Sequence, residues 1–168
     1  GAVYYYKWNA DGSTNTYTLQ QTINSPSDAS NVKFGAKVNI NQSGNRIIIA
    51  AQGADNPRTM KFDNGSTTFD LQDTDFVDVN REAGAVFTAT KYDTMYVIDD
   101  RLINDNVSSN DQFGESVFVT DNSIFVGSPN NDAGLTADGS TTYIDDGSVA
   151  HYDTLKTGAN PWELLRTE

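Results

Sequence analysis

Cysteine is absent from the chain, which excludes a disulfide scaffold, a thiolate nucleophile and every Cys-based zinc or iron–sulfur site. The single histidine, His151, cannot build a His-rich metal cage. Basic residues are few: 11 Lys and Arg stand against 23 Asp and Glu, a formal charge of −12. Nucleic acid is excluded as a partner on that balance, because a phosphate backbone is bound by clustered cations. An anionic membrane surface fails for the same reason. No run approaches the ~20 apolar residues of a membrane span, so membrane insertion is not expected. Glutamate is down to four residues, and Ala/Leu/Glu/Lys helical segments are missing. The start, Gly1-Ala2-Val3-Tyr4, has neither an initiator Met nor a signal-peptide pattern and reads as the interior of a longer chain.

What is present is the vocabulary of turns between short strands. There are 19 Asp and 17 Asn, with many Ser, Thr and Gly. The chain reads as all-β with many loops. Its 168 residues would suit one ordinary domain by length alone.

Internal repeats change that estimate. Phe34-Gly35-Ala36-Lys37-Val38-Asn39-Ile40 and Phe113-Gly114-Glu115-Ser116-Val117-Phe118-Val119 begin 79 residues apart, each preceded by Ser-Asn at the same offset (Ser30-Asn31, Ser109-Asn110). Each is followed by a β-branched run ending in small residues, Ile47-Ile48-Ile49-Ala50-Ala51 and Ile124-Phe125-Val126-Gly127-Ser128-Pro129. A third element occurs as Gly1-Ala2-Val3-Tyr4, Gly84-Ala85-Val86-Phe87 and Gly147-Ser148-Val149-Ala150. A fourth is an aromatic strand: Tyr17 with Leu19, Tyr96 with Ile98, Trp162 with Leu164. Tyr17 to Phe34 and Tyr96 to Phe113 are both 17 residues. Alternation places Phe34, Ala36, Val38 and Ile40 on one strand face; in the second copy Phe113, Val117 and Val119 align, Glu115 interrupts that face and Phe118 makes the opposite face partly apolar, as a strand covered on both sides in stacked four-stranded sheets would be.

Phe34-Gly35, Phe113-Gly114, Val126-Gly127-Ser128-Pro129 and Gly1-Ala2-Val3-Tyr4-Tyr5-Tyr6 resemble the FG-GAP repeat, the blade unit of integrin-α-like β-propellers. The resemblance spans nearly the whole chain, with Ala50-Ala51-Gln52 replacing the Gly-x-Pro tripeptide in the first copy. It implies antiparallel four-stranded meander blades of a β-propeller, usually seven to a ring. Ten strands, or about two and a half blades, are then expected. Residues 1–33 would hold the last two strands of one blade and a loop, 34–112 a complete blade with a hairpin insertion at 53–83, and 113–168 another complete blade. Such a partial propeller needs neighbouring blades or other protein chains to cover its faces.

In an up-and-down meander the long connections 24–33, 52–83, 104–112 and 130–146 share one end, which is where binding is expected. The contact residues expected there are Arg58, Asn64, Asn110 and Asn131. Residues 60–69 read as a hairpin around Asn64-Gly65. The family's calcium loops imply a cation between the Phe-Gly strand and the next, but Asn39, Asn41, Ser43 and Asn45 offer neutral oxygens in place of carboxylates, and Thr120-Asp121-Asn122-Ser123 is too short. No cofactor is expected, and calcium only as a minor alternative. Asp70, Asp73, Asp75, Asp78 and the pair Asp145-Asp146 read as solvated faces or turn caps.

No catalytic site is expected. Asp99 and Asp100 lie in one strand and point to opposite faces, and Ser148, His151 and Asp153 do not share a face as a triad would need. Tyr4-Tyr5-Tyr6-Lys7-Trp8 reads as a packing strand, with sugar stacking the alternative. Asn41, Asn64 and Asn106 open sequons, about the number that 17 Asn among 31 Ser and Thr in 168 residues give by chance.

The expected function is a non-enzymatic structural and interaction module in an extracellular surface or virion-associated (phage tail or capsid) protein, showing its loops to a host-surface protein or glycan. The missing cysteines and uncharged calcium loops point to the bacterial or phage side of the family. Alternatives are a carbohydrate-binding propeller module and, behind it, a calcium-binding adhesion domain or a hydrolase scaffold.

Overall fold

The computed structural model describes residues 1–10, 16–26, 31–54, 83–103, 110–131, 147–153 and 163–167. These contain ten strands and no helix: β1 (Ala2–Asn9), β2 (Thr16–Asn24), β3 (Phe34–Ile40), β4 (Arg46–Ala51), β5 (Ala85–Tyr92), β6 (Met95–Leu102), β7 (Ser116–Val119), β8 (Ser123–Ser128), β9 (Ser148–Asp153) and β10 (Glu163–Thr167). The all-β expectation holds. They form three antiparallel sheets, here called sheet I (β1-β2), sheet II (β3-β4-β5-β6) and sheet III (β7-β8-β9-β10). Neighbours in sequence are neighbours in each sheet, so sheets II and III are simple meanders.

Burial decides how the sheets are arranged. Ile47, Ile49 and Ala51 of β4, with Ala85, Phe87 and Ala89 of β5, pack with Ile23, Val3 and Tyr5 of sheet I. Ile48, Ala50 and Val86, on the opposite face of the same strands, pack with Phe113, Val119, Ile124, Val126, Ala150 and Tyr152 of the third unit. The central sheet is therefore the middle layer of a three-sheet stack. Ile48 and Ile49 are both fully buried though adjacent in sequence, which in a strand of period two requires cover on both faces. Each such side chain contributes about 1.5–3 kcal/mol on burial. The alanines at positions 50, 51, 85 and 89 keep the sheets close, and edge-to-face pairs Phe34–Phe87 (5.5 Å) and Tyr5–Tyr96 (5.2 Å) fill the wider parts.

Polar groups tie the layers as well. The Gln21 side-chain amide donates to the Tyr96 carbonyl at 2.7 Å and accepts from its N–H at 2.8 Å, as a paired strand would. The Phe113 N–H donates to the Ala83 carbonyl (2.8 Å), and Gly84 and Phe113 form a parallel bridge between sheets II and III. The Tyr152 hydroxyl donates to the Ile103 carbonyl at 2.7 Å.

The two Phe-Gly glycines take equivalent positions, with φ of +87° at Gly35 and +98° at Gly114. Each lies against the Gly-Ala-Val strand of the preceding sheet. A Cβ on Gly35 would stand 3.2 Å from the Val3 side chain and 3.3 Å from the Ala2 carbonyl oxygen; one on Gly114 would stand 3.1 Å from Val86 and 3.4 Å from the Ala85 oxygen. Only glycine meets both demands, a left-handed backbone and a close sheet-to-sheet approach. Val38 and Ile40 share the face of Phe34, Ile47 and Ile49 through their register, yet they are exposed. The two-stranded sheet I does not extend over them. Gly114→Val should cost about 2–4 kcal/mol in denaturant unfolding, from strain plus overpacking. Gly44→Ala, where φ is +67° but the space is open, should cost about 1 kcal/mol.

Candidate interaction surface

The connections that precede the two Phe-Gly pairs are built alike. Asn31 and Lys33 have φ of 65° and 54°, and Asn110 and Gln112, at the matching positions, have φ of 70° and 55°. The Lys33 carbonyl accepts from the Ala36 N–H and the Gln112 carbonyl from the Glu115 N–H, both at 3.0 Å. The chain after β4 repeats too: Ala54 N–H donates to Ala51 O (3.0 Å) and Asn131 N–H to Ser128 O (3.3 Å), while Gly84 and Gly147 donate back to Ala54 and Asn131. These bonds hold the loop end of each unit on its sheet.

Within this frame one pair changes character. Val32 and Ala54 are buried in the first core cluster. Their counterparts are Asp111 and Asn131, each 1% exposed, with the Asn131 amide donating to Asp111 Oδ2 at 2.8 Å. A hydrogen-bonded polar pair occupies the positions that two apolar core residues hold in the other copy. The Ser128 hydroxyl donates to the Asp111 carbonyl at 2.8 Å and extends the network.

The sequence-predicted contact residues therefore divide. Asn131 is buried and committed to Asp111. Asn110 is exposed in a left-handed conformation, and its carbonyl accepts from the Asn130 side chain at 3.2 Å. Arg58, Asn64 and the hairpin around it lie outside the described residues, as do the acidic runs at 70–78 and 145–146. Asp111, with its buried neighbour, was not singled out from sequence; aligning the two Phe-Gly copies would have paired it with Val32.

The opposite end carries the turn read for calcium. Asn41 Oδ1 accepts the N–H groups of Asn45 (3.1 Å) and Arg46 (3.0 Å), which orients its amide nitrogen toward Asn45 Oδ1 (2.6 Å), Asp121 Oδ1 (2.8 Å) and Ser43 Oγ (3.0 Å). Asp121 also accepts from the Ser43 hydroxyl at 2.7 Å. The oxygens of the turn thus converge on an amide, and the cluster joins the β3–β4 and β7–β8 turns. Among the described residues no three His, Cys, Asp or Glu side chains gather as a metal site would require. Asn41 is buried with its amide in these bonds, so its sequon offers no free nitrogen for a glycan.

The adjacent acids differ in environment. Register runs from Thr88↔Asp100 to Ala89↔Ile98, leaving Asp99 as the extra residue of a bulge, where the Thr88 and Thr90 hydroxyls donate to it. Asp100 is buried, and burial pushes its pKa up to about 6, against the Arg101 N–H that lowers it and the Asp99 charge that raises it further. Ser148 lies on the buried face of β9 with Ala150 and Tyr152, whereas His151 lies on the outer face and stacks on Phe125 at 4.5 Å with 7° between the rings.

Both outer faces of the stack carry exposed apolar side chains. Sheet I exposes Tyr4, Tyr6, Trp8, Tyr17 and Leu19, with Trp8 and Tyr17 in contact at 4.8 Å. Sheet III exposes Phe118, Phe125 and Val149. Tyr4, Tyr6 and Trp8, read from sequence as packing residues, are uncovered in this chain. Compared with known proteins, the sequence matches no family model and none of the curated proteins.

Asn131→Ala, which strips a buried donor from Asp111, should cost about 2–3 kcal/mol by chemical denaturation. Adding Asp111→Val, which restores the Val32–Ala54 pairing, should recover at least half of that loss. Asp100 supplies a pH test. Its folded pKa is raised, so the folded state holds a proton that the unfolded state has lost, and stability falls as pH rises from about 4 to about 6. Asp100→Asn should remove that slope and gain about 2 kcal/mol at pH 7, with no gain below pH about 4.

Proposed function

We propose that this chain is a non-enzymatic structural and interaction module, a segment of a larger FG-GAP-like β-propeller in an extracellular surface or virion-associated (phage tail or capsid) protein. The observation that carries this reading is the two-sided burial of sheet II beside two outer faces left rich in exposed aromatics. A repeat whose middle copy is covered on both sides, and whose outer copies are covered on one, is a unit of a longer stack. Matching backbone geometry in both Phe-Gly copies supports blades of one kind. With its faces used for stacking, the module meets other partners through its loop end, where adhesion or assembly contacts would be made. The charge of −12 favours a protein or glycan surface over nucleic acid.

Exposure of Tyr4, Tyr6, Trp8 and Tyr17 favours one second reading, a carbohydrate-binding propeller module in which sugar rings stack on this platform. A glycan array followed by tryptophan-fluorescence titration separates the two: saturable quenching lost in Trp8→Ala would establish sugar binding.

For the preferred reading, residues 1–168 alone should bind a hydrophobic dye at both outer faces. Changing Tyr4, Tyr6 and Phe118 together to Ser should abolish much of that binding yet alter the unfolding free energy of the isolated chain by no more than about 1 kcal/mol. A dye-negative, monodisperse monomer that unfolds cooperatively would overturn the proposal.

A further inference from the structure

Register places the residues of sheets II and III in one-to-one correspondence. The cross-strand row Asn39–Ile48–Thr88 of sheet II matches Phe118–Phe125–His151 of sheet III, and Ala50–Val86 matches Gly127–Val149. On sheet II this face is the seam with sheet III: Ile48, Ala50, Val86 and Thr88 are all 0% exposed, and the Asn39 carboxamide oxygen accepts from the Val119 N–H at 3.3 Å. On sheet III the same positions face outward, with Phe118 54%, Phe125 37% and Val149 47% exposed. The Nε2 of His151 is covered there and makes no hydrogen bond among the described residues.

The covered seam shows what completes such a face. Phe113-Gly114 lies across the start of β5, with the Phe113 N–H on the Ala83 carbonyl and Gly114 against Ala85 and Val86. Phe34-Gly35 lies across the start of β1 in the same way, against Ala2 and Val3. At β9 the corresponding residues are Ser148 and Val149, preceded by Gly147 with φ of +77°, the sign that Gly84 carries (+89°). Ser148 turns inward with Ala150 and Tyr152, and Val149 is left 47% exposed.

We propose that the outer face of sheet III, around Val149, Phe125, Phe118 and His151, is the docking site for a further sheet of this same repeat. Resting on the stacked-repeat reading above, the assignment names the occupant: a strand that opens with Phe-Gly, its glycine against Ser148 and Val149. A second copy of this chain does not supply it, because Gly35 and Gly114 are both already seated on sheets of their own chain.

The chain holds no cysteine, so Val149→Cys, at a position 47% exposed here whose counterpart Val86 is 0% exposed in the covered seam, reports on this face by its rate of alkylation with iodoacetamide. The full chain carrying that substitution is extended at its C-terminus by a copy of its own residues 25–103, which adds a Phe-Gly sheet and its leading loop but no cysteine. Alkylation at position 149 should slow by about tenfold or more relative to residues 1–168 with the same substitution. Gly35→Val in the appended copy should restore the fast rate. Phe125→Asp in the receiving face, which leaves the appended sheet unaltered, should do the same. A fast rate in the extended chain, or protection that survives both substitutions, would overturn the assignment. Protection that appears in residues 1–168 as concentration rises would assign the face to a second copy and overturn it too, while leaving the stacked-repeat reading in place. Failure of that broader reading has its own signature, the dye-negative monomer.

Discussion

Burial of the central sheet on both faces is the constraint on which the rest depends. β4 and β5 place buried side chains on successive residues, Ile48 beside Ile49 and Val86 beside Phe87, and a strand can do this only between two other layers. Neither core is large, and each is completed by residues from two sheets. The fold gains its stability at seams between sheets, so each seam must admit close approach. That requirement accounts for the alanines of β4 and β5 and for the positive-φ glycine that opens each Phe-Gly strand.

A seam constrains backbone geometry more strongly than side-chain chemistry. Around the two Phe-Gly strands the positive-φ positions and the loop hydrogen bonds repeat, but the buried contents differ. Val32 with Ala54 becomes Asp111 with Asn131, a change permitted because both members change together and the carboxylate receives a donor. The calcium-type turn follows a similar logic. An amide held by two backbone N–H groups turns its nitrogen onto the oxygens of Ser43, Asn45 and Asp121, and the turn is closed by hydrogen bonds drawn from two sheets.

Much of the strand layout was legible because strands with turn-rich gaps and recurring Phe-Gly, Gly-Ala-Val and aromatic elements carry their own register. The all-β class and the antiparallel pairing follow from those elements. Less legible were features that depend on contacts between distant segments. Nothing local distinguishes Asn131, a buried partner of Asp111, from the exposed Asn110 nearby; both read as loop asparagines. Simple alternation put Asp99 and Asp100 on opposite faces, whereas a bulge sets Asp99 apart from the register and two threonine hydroxyls hold it there. The exposure of Tyr4, Tyr6 and Trp8 was hidden for a further reason: the pattern of a strand covered twice describes the environment a side chain requires, and one chain supplies only part of that environment.

The two outer faces are not alike, and their difference gives the stack a direction. One presents Tyr4, Tyr6, Trp8 and Tyr17; the other presents Phe118, Phe125, Val149 and His151. Both internal seams join the Val3 or Val86 face of one sheet to the Phe87 or Tyr152 face of the next, never like to like. Contacts of that kind are heterologous: they propagate or close into a ring and do not stop at a two-fold pair. The Phe-Gly strand enforces this polarity, since its glycine must approach the start of a Gly-Ala-Val strand and has no equivalent seat on the opposite face. Specificity between repeats thus resides in a backbone approach that tolerates almost no side chain, which leaves the flanking residues, and above all the loops, open to change without loss of the stack.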